Sequence, residues 1–303
     1  MDNALSKLLG SHTYDEFLDL YKSDQPLFVP DVRGEASELF DIHFLKSIHA
    51  LLEFWPKNID CYKPGIADEV NTQSLAPLGA REQFEQGHSL IFNDADTTSG
   101  VLRDWADSIQ EQLGLSTLTY GRSLVYATPK GGGTDPHFDQ NINFVIQLHG
   151  TKRWKVAPNT HVINPMTRHT IGAEMDPELA TYAGEMPEAF PADAQEFVLT
   201  PGSALFVPRG SWHTTTAGEE DSLALNFTYS APTWIDLLTA AMRGRLTQYP
   251  KWRETANFVT DESHCLEAFG KLDGLLDELA QEFPHWIAMD IIQATERDKF
   301  PLS

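Results

Sequence analysis

The sequence predicts a mainly β protein with added α structure: a jelly-roll barrel in mid-chain, an N-terminal helical region and C-terminal helices. Three observations carry that expectation. Between about residue 116 and Pro232, short runs alternate apolar and polar residues with period two, the pattern of half-buried strands. Gly, Pro and Asn/Asp clusters separate these runs at close spacing, as in sandwiches and barrels. On either side of that window the apolar period is near 3.6. With 41% hydrophobic residues in 303, the chain has material for a sizeable core.

Taken in order, residues 1–115 read as a mostly helical region that packs on the barrel. A first helix ends at Leu18-Asp-Leu-Tyr21, and Gln25-Pro-Leu-Phe-Val-Pro-Asp31 is a short strand bracketed by prolines. Residues 42–55 set Phe44, Leu45, Ile48, Leu51 and Leu52 on one helical stripe. The barrel, residues 116–232, draws strands from 117–128, 137–148, 152–157, 196–200, 203–207 and 222–229. Residues 158–195 carry Pro, Met and Glu without alternation, so an insertion with some helix, covering the barrel mouth, is expected there. After Pro232, Thr233 caps a helix whose Trp234, Leu237, Leu238, Ala241 and Met242 share a face. A second helix carries Leu266, Phe269, Leu272, Leu275, Leu276 and Leu279. This C-terminal region, residues 233–303, either packs on the barrel or joins two copies as a homodimer.

A formal net charge of −22 argues against nucleic acid, whose phosphates need clustered Lys and Arg, and against an anionic membrane surface. It reads as solubility first and attraction of a basic partner second. No apolar run approaches the length of a transmembrane helix, and the polar N-terminus lacks the apolar stretch of a signal peptide. Cys61 and Cys265 are isolated thiols without metal-type spacing, which suits a reducing, cytoplasmic setting.

Two fragments carry the chemistry: His137-Phe138-Asp139, and Gly202-Ser-Ala-Leu-Phe-Val-Pro208-Arg-Gly210-Ser-Trp-His213. Two imidazoles and one carboxylate are the set that holds non-haem Fe(II) while leaving coordination positions open. Residues two apart in a strand share a side, so His137 and Asp139 project together, and the Pro208-Arg-Gly210 turn brings His213 back towards them. Along 137–148 the odd positions are mainly polar and the even ones mainly apolar, so the polar face lines a cavity. A lone HxD is a common surface triplet; its conjunction with G(x)5PxG(x)2H is specific. Structural zinc would want a fourth ligand, commonly Cys, and no thiol lies near either fragment. Gly131-Gly-Gly133 lacks the GK[ST] of a phosphate loop and is expected to let the backbone pass near the metal. His149, His161 and His169 are expected at turns or the surface, and Trp154 and Trp212 in the cavity wall or the core.

Thr134-Asp-Pro-His-Phe-Asp139, Asn143, Gln147-Leu-His-Gly-Thr-Lys-Arg-Trp154, Gly202 to His213 and Asn226-Phe-Thr-Tyr229 occur in an order that resembles the JmjC-type branch of the cupin superfamily. These are Fe(II)/2-oxoglutarate oxygenases, and the likeness is closest to the asparaginyl and ribosomal-protein hydroxylases. The resemblance implies a double-stranded β-helix, Fe(II) held by His137, Asp139 and His213, and 2-oxoglutarate and dioxygen (O2) as cosubstrates. It further implies Lys152 as the cation for the distal carboxylate, Thr134 as a hydroxyl assisting it, and Asn143 and Asn226 as amides flanking the metal-bound end. The tyrosine that completes such pockets is Tyr120 or Tyr126, which share strand parity. The implied reaction is hydroxylation of an unactivated C–H bond, in a protein or peptide side chain. Alternatives are a free amino acid, a natural-product intermediate, or a non-oxygenase metal-binding cupin, which has no use for a dicarboxylate pocket. The residues after Pro232 show too little strand character for a complete winged helix, which weakens simple transfer of a ribosomal substrate.

Overall fold

The computed structural model describes residues 3–296 and divides them into two compact units. One comprises the chain up to Leu115 with Tyr120–Ser230; the other comprises Ser116–Thr119 with the chain from Ala231 onward.

The first unit begins with α1 (Ala4–Leu8), α2 (Tyr14–Lys22), β1 (Leu27–Val29), α3 (Ser37–Phe40) and α4 (Ile48–Phe54). Thr13 and Glu16 close a capping box that starts α2. Then come β2 (Ile59–Tyr62), β3 (Ile66–Ala67), β4 (Gln73–Leu75), α5 (Pro77–Glu85), β5 (Ser89–Phe92) and α6 (Gly100–Gln112). The barrel proper follows as β6 (Tyr120–Thr128), β7 (Gly133–Phe138), β8 (Ile142–His149), β9 (Lys152–Ala157), β10 (His169–Thr170), β11 (Gln195–Leu199), β12 (Ala204–Val207), β13 (Trp212–Ala217) and β14 (Ser222–Ser230).

Two sheets form it. One runs β1-β12-β8-β14-β6-β5-β2-β4; the other runs β10-β7-β13-β9-β11, with β3 added to β7. Their inner faces share a core: Val145, Leu205, Val207 and Ala224 from the first meet Trp154, Val156 and Leu199 from the second. This is the double-stranded β-helix expected of a jelly roll with flanking helices. The alternation along β8 now has a physical cause. Phe144 faces outward, where Phe17 of α2 packs on it and on Phe206 at ring separations of 6.0 and 5.1 Å, while Asn143 and Val145 line the cavity.

Several details differ from the sequence reading. The run 137–148 is two strands, because the Asp139 carboxylate accepts a bond from the Asn141 N–H (2.8 Å) and turns the chain between β7 and β8. The stretch 42–55 is a 3-10 turn at His43–Leu45 followed by α4, which Ser47 caps. Short strands β2, β4 and β5, which the alternation did not reveal, extend the first sheet beyond β6. Residues 158–195 hold one 3-10 turn at Leu179–Thr181 and little other regular helix. Prolines at 158, 165, 177, 187 and 191 interrupt helix formation, and the segment instead buries Val162 and Leu179 with Phe138 and Trp212 and packs the half-buried Met175, Met186 and Phe190 against them.

The second unit holds α7 (Trp234–Leu246), α8 (Cys265–Glu282) and α9 (Ala288–Thr295). Thr233 and Asp236 form a capping box at α7. None of the residues of α8 is buried, and Leu266 is 81% exposed. Among the described residues, no helix is long and apolar enough to cross a membrane.

Candidate metal and cosubstrate site

β7 and β13 lie antiparallel with His213 directly opposite His137. Register, more than the turn at Pro208, therefore brings the two imidazoles together, and their ring centroids are 4.1 Å apart. A bulge after His213 shifts the pairing so that Thr215 faces Thr134. Asp139 sits just past the end of β7, and its backbone carbonyl accepts the Gly210 N–H at 2.9 Å, tying the two motifs together. Ligand atoms of His137, Asp139 and His213 all lie within 4.8 Å of one another.

Each imidazole is oriented by its own backbone. His137 Nδ1 is 2.6 Å from the Asp135 carbonyl and His213 Nδ1 is 2.9 Å from the Ser211 carbonyl. A carbonyl only accepts, so both Nδ1 atoms carry the proton and both Nε2 lone pairs remain for a metal. Burial drives His137 well below the usual histidine pKa, and the neighbouring His213 and Arg168 act in the same direction. The ring is thus neutral, as ligation requires. Trp154 stacks on His213 at 5.8 Å and 19°, restricting its rotation. Two histidines, one carboxylate and no cysteine fit a divalent metal with open positions, not a closed structural zinc.

The other predicted residues line the same cavity: Thr134, Asn143, Lys152 and Asn226, with Tyr126 and Glu69. Lys152 is 3% exposed; its ammonium donates to Thr128 Oγ1 at 3.0 Å and lies 5.7 Å from the Tyr126 ring centre. Among the described residues no carboxylate pairs with it, and burial pulls its pKa from 10.5 to about 8, against a smaller upward pull from Glu69. Thr134 Oγ1 bonds Thr215 Oγ1 at 3.0 Å. Asn226 Nδ2 donates to Asn143 Oδ1 at 3.0 Å, and the buried Asn226 Oδ1 has no partner.

Of the two tyrosines, Tyr126 faces the cavity, whereas Tyr120 is 56% exposed and donates to Asp94. Gly133 serves a different purpose from the one expected: a Cβ there would stand 1.8 Å from the Thr215 carbonyl oxygen, so the glycine permits the close approach of β13. His169 is buried beside Phe138, not at the surface, and Trp212 belongs wholly to the core. The reading missed Glu69, Thr215 and Arg168, none of which sits in a recognisable motif.

A double-stranded β-helix with this ligand set in its cavity defines a class, the cupin-type metal enzymes. Comparison with known proteins narrows it. A JmjC domain model matches residues 102–237. An uncharacterized protein of Bacillus subtilis, YxbC, is 30% identical over 99% of this chain and 93% of its own length. Ribosomal oxygenase 2 of Rattus norvegicus is 26% identical over 78% of this chain, which spans only half of that relative. Escherichia coli YcfD, a ribosomal oxygenase solved with cobalt and 2-oxoglutarate, shares the fold at a TM-score of 0.52 and 17% identity, covering 93% of this chain and 71% of that one. The chain belongs to the JmjC-type oxygenases, enzymes that depend on Fe(II) and 2-oxoglutarate.

Proposed function

We propose that this protein hydroxylates a C–H bond in a protein or peptide side chain, with His137, Asp139 and His213 holding the metal. Lys152 then receives the distal carboxylate of 2-oxoglutarate. The observation that carries this reading is the buried ammonium of Lys152 in the cavity of the triad, with no carboxylate among the described residues at ion-pairing distance. An isolated buried charge is costly to keep and is retained where a ligand of opposite charge completes it.

The chain's own residues supply position and dryness. Thr215 holds the Thr134 hydroxyl toward the carboxylate that Lys152 neutralises, and Tyr126 forms the apolar wall beneath the ammonium. The Asn143–Asn226 amide pair leaves one carbonyl oxygen without a partner, ready for a hydrogen bond at the metal-facing end. Trp154 and Val145 keep that end out of water. The metal, when bound, supplies the dioxygen chemistry that oxidises the substrate carbon. A polypeptide substrate is supported by the ribosomal oxygenases among the relatives and by the chain's charge of −22, which favours a basic partner.

Two measurements test this. Anaerobic Fe(II) with 2-oxoglutarate should give a weak visible charge-transfer band in the wild type and none in Lys152→Met. Mass spectrometry of a treated lysate should then find peptides heavier by one oxygen; a band without any such peptide would leave the oxygenase and remove the polypeptide substrate.

A further inference from the structure

The carboxylate that intrudes on the triad comes from outside the barrel's main strands. Two segments distant in sequence run along the same edge of β7: β3 pairs in parallel with Gly133 and Thr134, and β10 pairs antiparallel with His137 and Phe138. Asp68 and Glu69 follow β3 directly, and Arg168 directly precedes β10. The three side chains meet between the strand ends. Arg168 Nη1 donates to Glu69 Oε1 at 2.8 Å, and Nη2 donates to Asp68 Oδ1 at 3.0 Å. The Glu69 oxygen that accepts from Arg168 is also 3.7 Å from His137 Nε2, the nitrogen left free for a metal. Arg168 and Glu69 side chains are only 19% and 16% exposed.

We infer that Arg168 is a positioning residue, which holds the Glu69 carboxylate off the metal so that three protein groups, not four, face it. The inference rests on the metal assignment proposed above. When each metal–ligand bond is near 2.1 Å, two ligand atoms of one ion sit about 3–4 Å apart, so Glu69 stands one ligand spacing from His137 Nε2 while remaining outside the His137–Asp139–His213 cluster, and a small shift would bring it to the ion. A largely buried carboxylate without a cation is strongly unfavourable, and a dication at the triad would be an available partner. The guanidinium fork prevents this by engaging both acids at once, a geometry that an ammonium does not reproduce. Four protein ligands make a closed metal site; three leave room for an exchangeable ligand. Arg168 thereby separates an oxygenase site from an inert one.

Co(II) titration of the full chain tests the inference, with binding and the visible Co(II) spectrum as readouts independent of turnover. Arg168→Met should bind Co(II) about tenfold or more tightly than wild type, the scale of effect seen for groups that orient ligands. Its spectrum should change with the added ligand, and 2-oxoglutarate should bind correspondingly more weakly. Glu69→Gln alone should leave Co(II) affinity within about twofold of wild type, because Glu69 is not a ligand there. The Arg168→Met/Glu69→Gln double variant, which restores the local charge, should return all three readouts to wild-type values. Arg168→Lys, which keeps the charge without the fork, should fall between and serves if Arg168→Met fails to fold. Unchanged Co(II) binding in both Arg168 variants overturns the inference, as does tighter binding with an unaltered spectrum, which is long-range charge alone. So does a change that persists in the double variant, or a weakened Glu69→Gln. Wild-type Co(II) affinity in His213→Ala would remove the metal assignment itself, and this inference with it.

Discussion

Strand β14 and helix α8 are both rich in apolar residues, yet eight of the nine positions of β14 are buried and none of the eighteen in α8 is. In β14 both faces of the strand are used: Asn226 and Ala224 look into the cavity, while Phe227 packs under Trp105 of α6 at 6.0 Å. The stripe Leu266, Phe269, Leu272 and Leu276 on α8 is open by comparison, from 81% to 47% exposed. A hydrophobic pattern alone does not tell a residue that holds the fold from one that merely shares a face. What separates them is whether both sides of the element are in use.

That contrast can be broken by mutation, and the largest effect belongs to the barrel. His213→Ala or Asp139→Ala should reduce 2-oxoglutarate turnover to background while leaving the circular dichroism spectrum unchanged; retained turnover would mean the ligands lie elsewhere. Gly133→Ala pushes a Cβ to 1.8 Å from the Thr215 carbonyl oxygen and should cost more than about 4 kcal/mol, read as loss of soluble protein or a collapsed Tm. A near-normal Tm would show that β7 and β13 can part without unfolding the barrel.

Lys152→Met should act in opposite directions on two readouts. It removes cosubstrate binding yet stabilises the ligand-free protein, since a pKa drawn down from 10.5 to about 8 represents roughly 3 kcal/mol carried by the buried ammonium. The sign follows from proton counts. Between pH 8 and 10.5 the unfolded chain keeps a proton on Lys152 that the folded chain has released, so wild-type stability gains from this group as pH rises through that window. Denaturant midpoints at pH 7.5 and 10 should show the gain in wild type and its loss in Lys152→Met. Affinity for 2-oxoglutarate should fall in wild type above about pH 8. The smallest effect belongs to α8: Leu266→Glu should shift unfolding by no more than about 0.5 kcal/mol. A larger shift, or one that depends on protein concentration, would mean this face is covered in solution.

The legible part of the molecule was the part where chemistry dictates residue type at short spacing. His137, Asp139 and His213 stand in two compact motifs, whereas Lys152, Asn143 and Asn226 stood out only through the family resemblance, on strands whose polar face the alternation marks. Tyr120 and Tyr126 could not be separated by parity, because position along β6 and not side decides between them: Tyr126 pairs with Ala224, which also lines the cavity, and Tyr120 with Ser230 at the far end of the strand. Glu69 and Arg168 were invisible for a different reason. Their meeting depends on two strands of two residues each, too short to leave a periodic trace. β2, β4 and β5 escaped notice in the same way, as runs of three or four residues among helices.

The edge of β7 that carries β3 and β10 is held by two separate segments of two residues each, whereas a single strand, β13, spans the opposite edge from Gly133 to His137 around one bulge. Either flanking segment can therefore change in length without disturbing the register that sets His213 against His137, so long as Asp68, Glu69 and Arg168 still meet. Grafting residues 158–195 from a relative should accordingly leave the register of His137 against His213 intact, provided that the graft keeps Arg168 opposite Asp68 and Glu69.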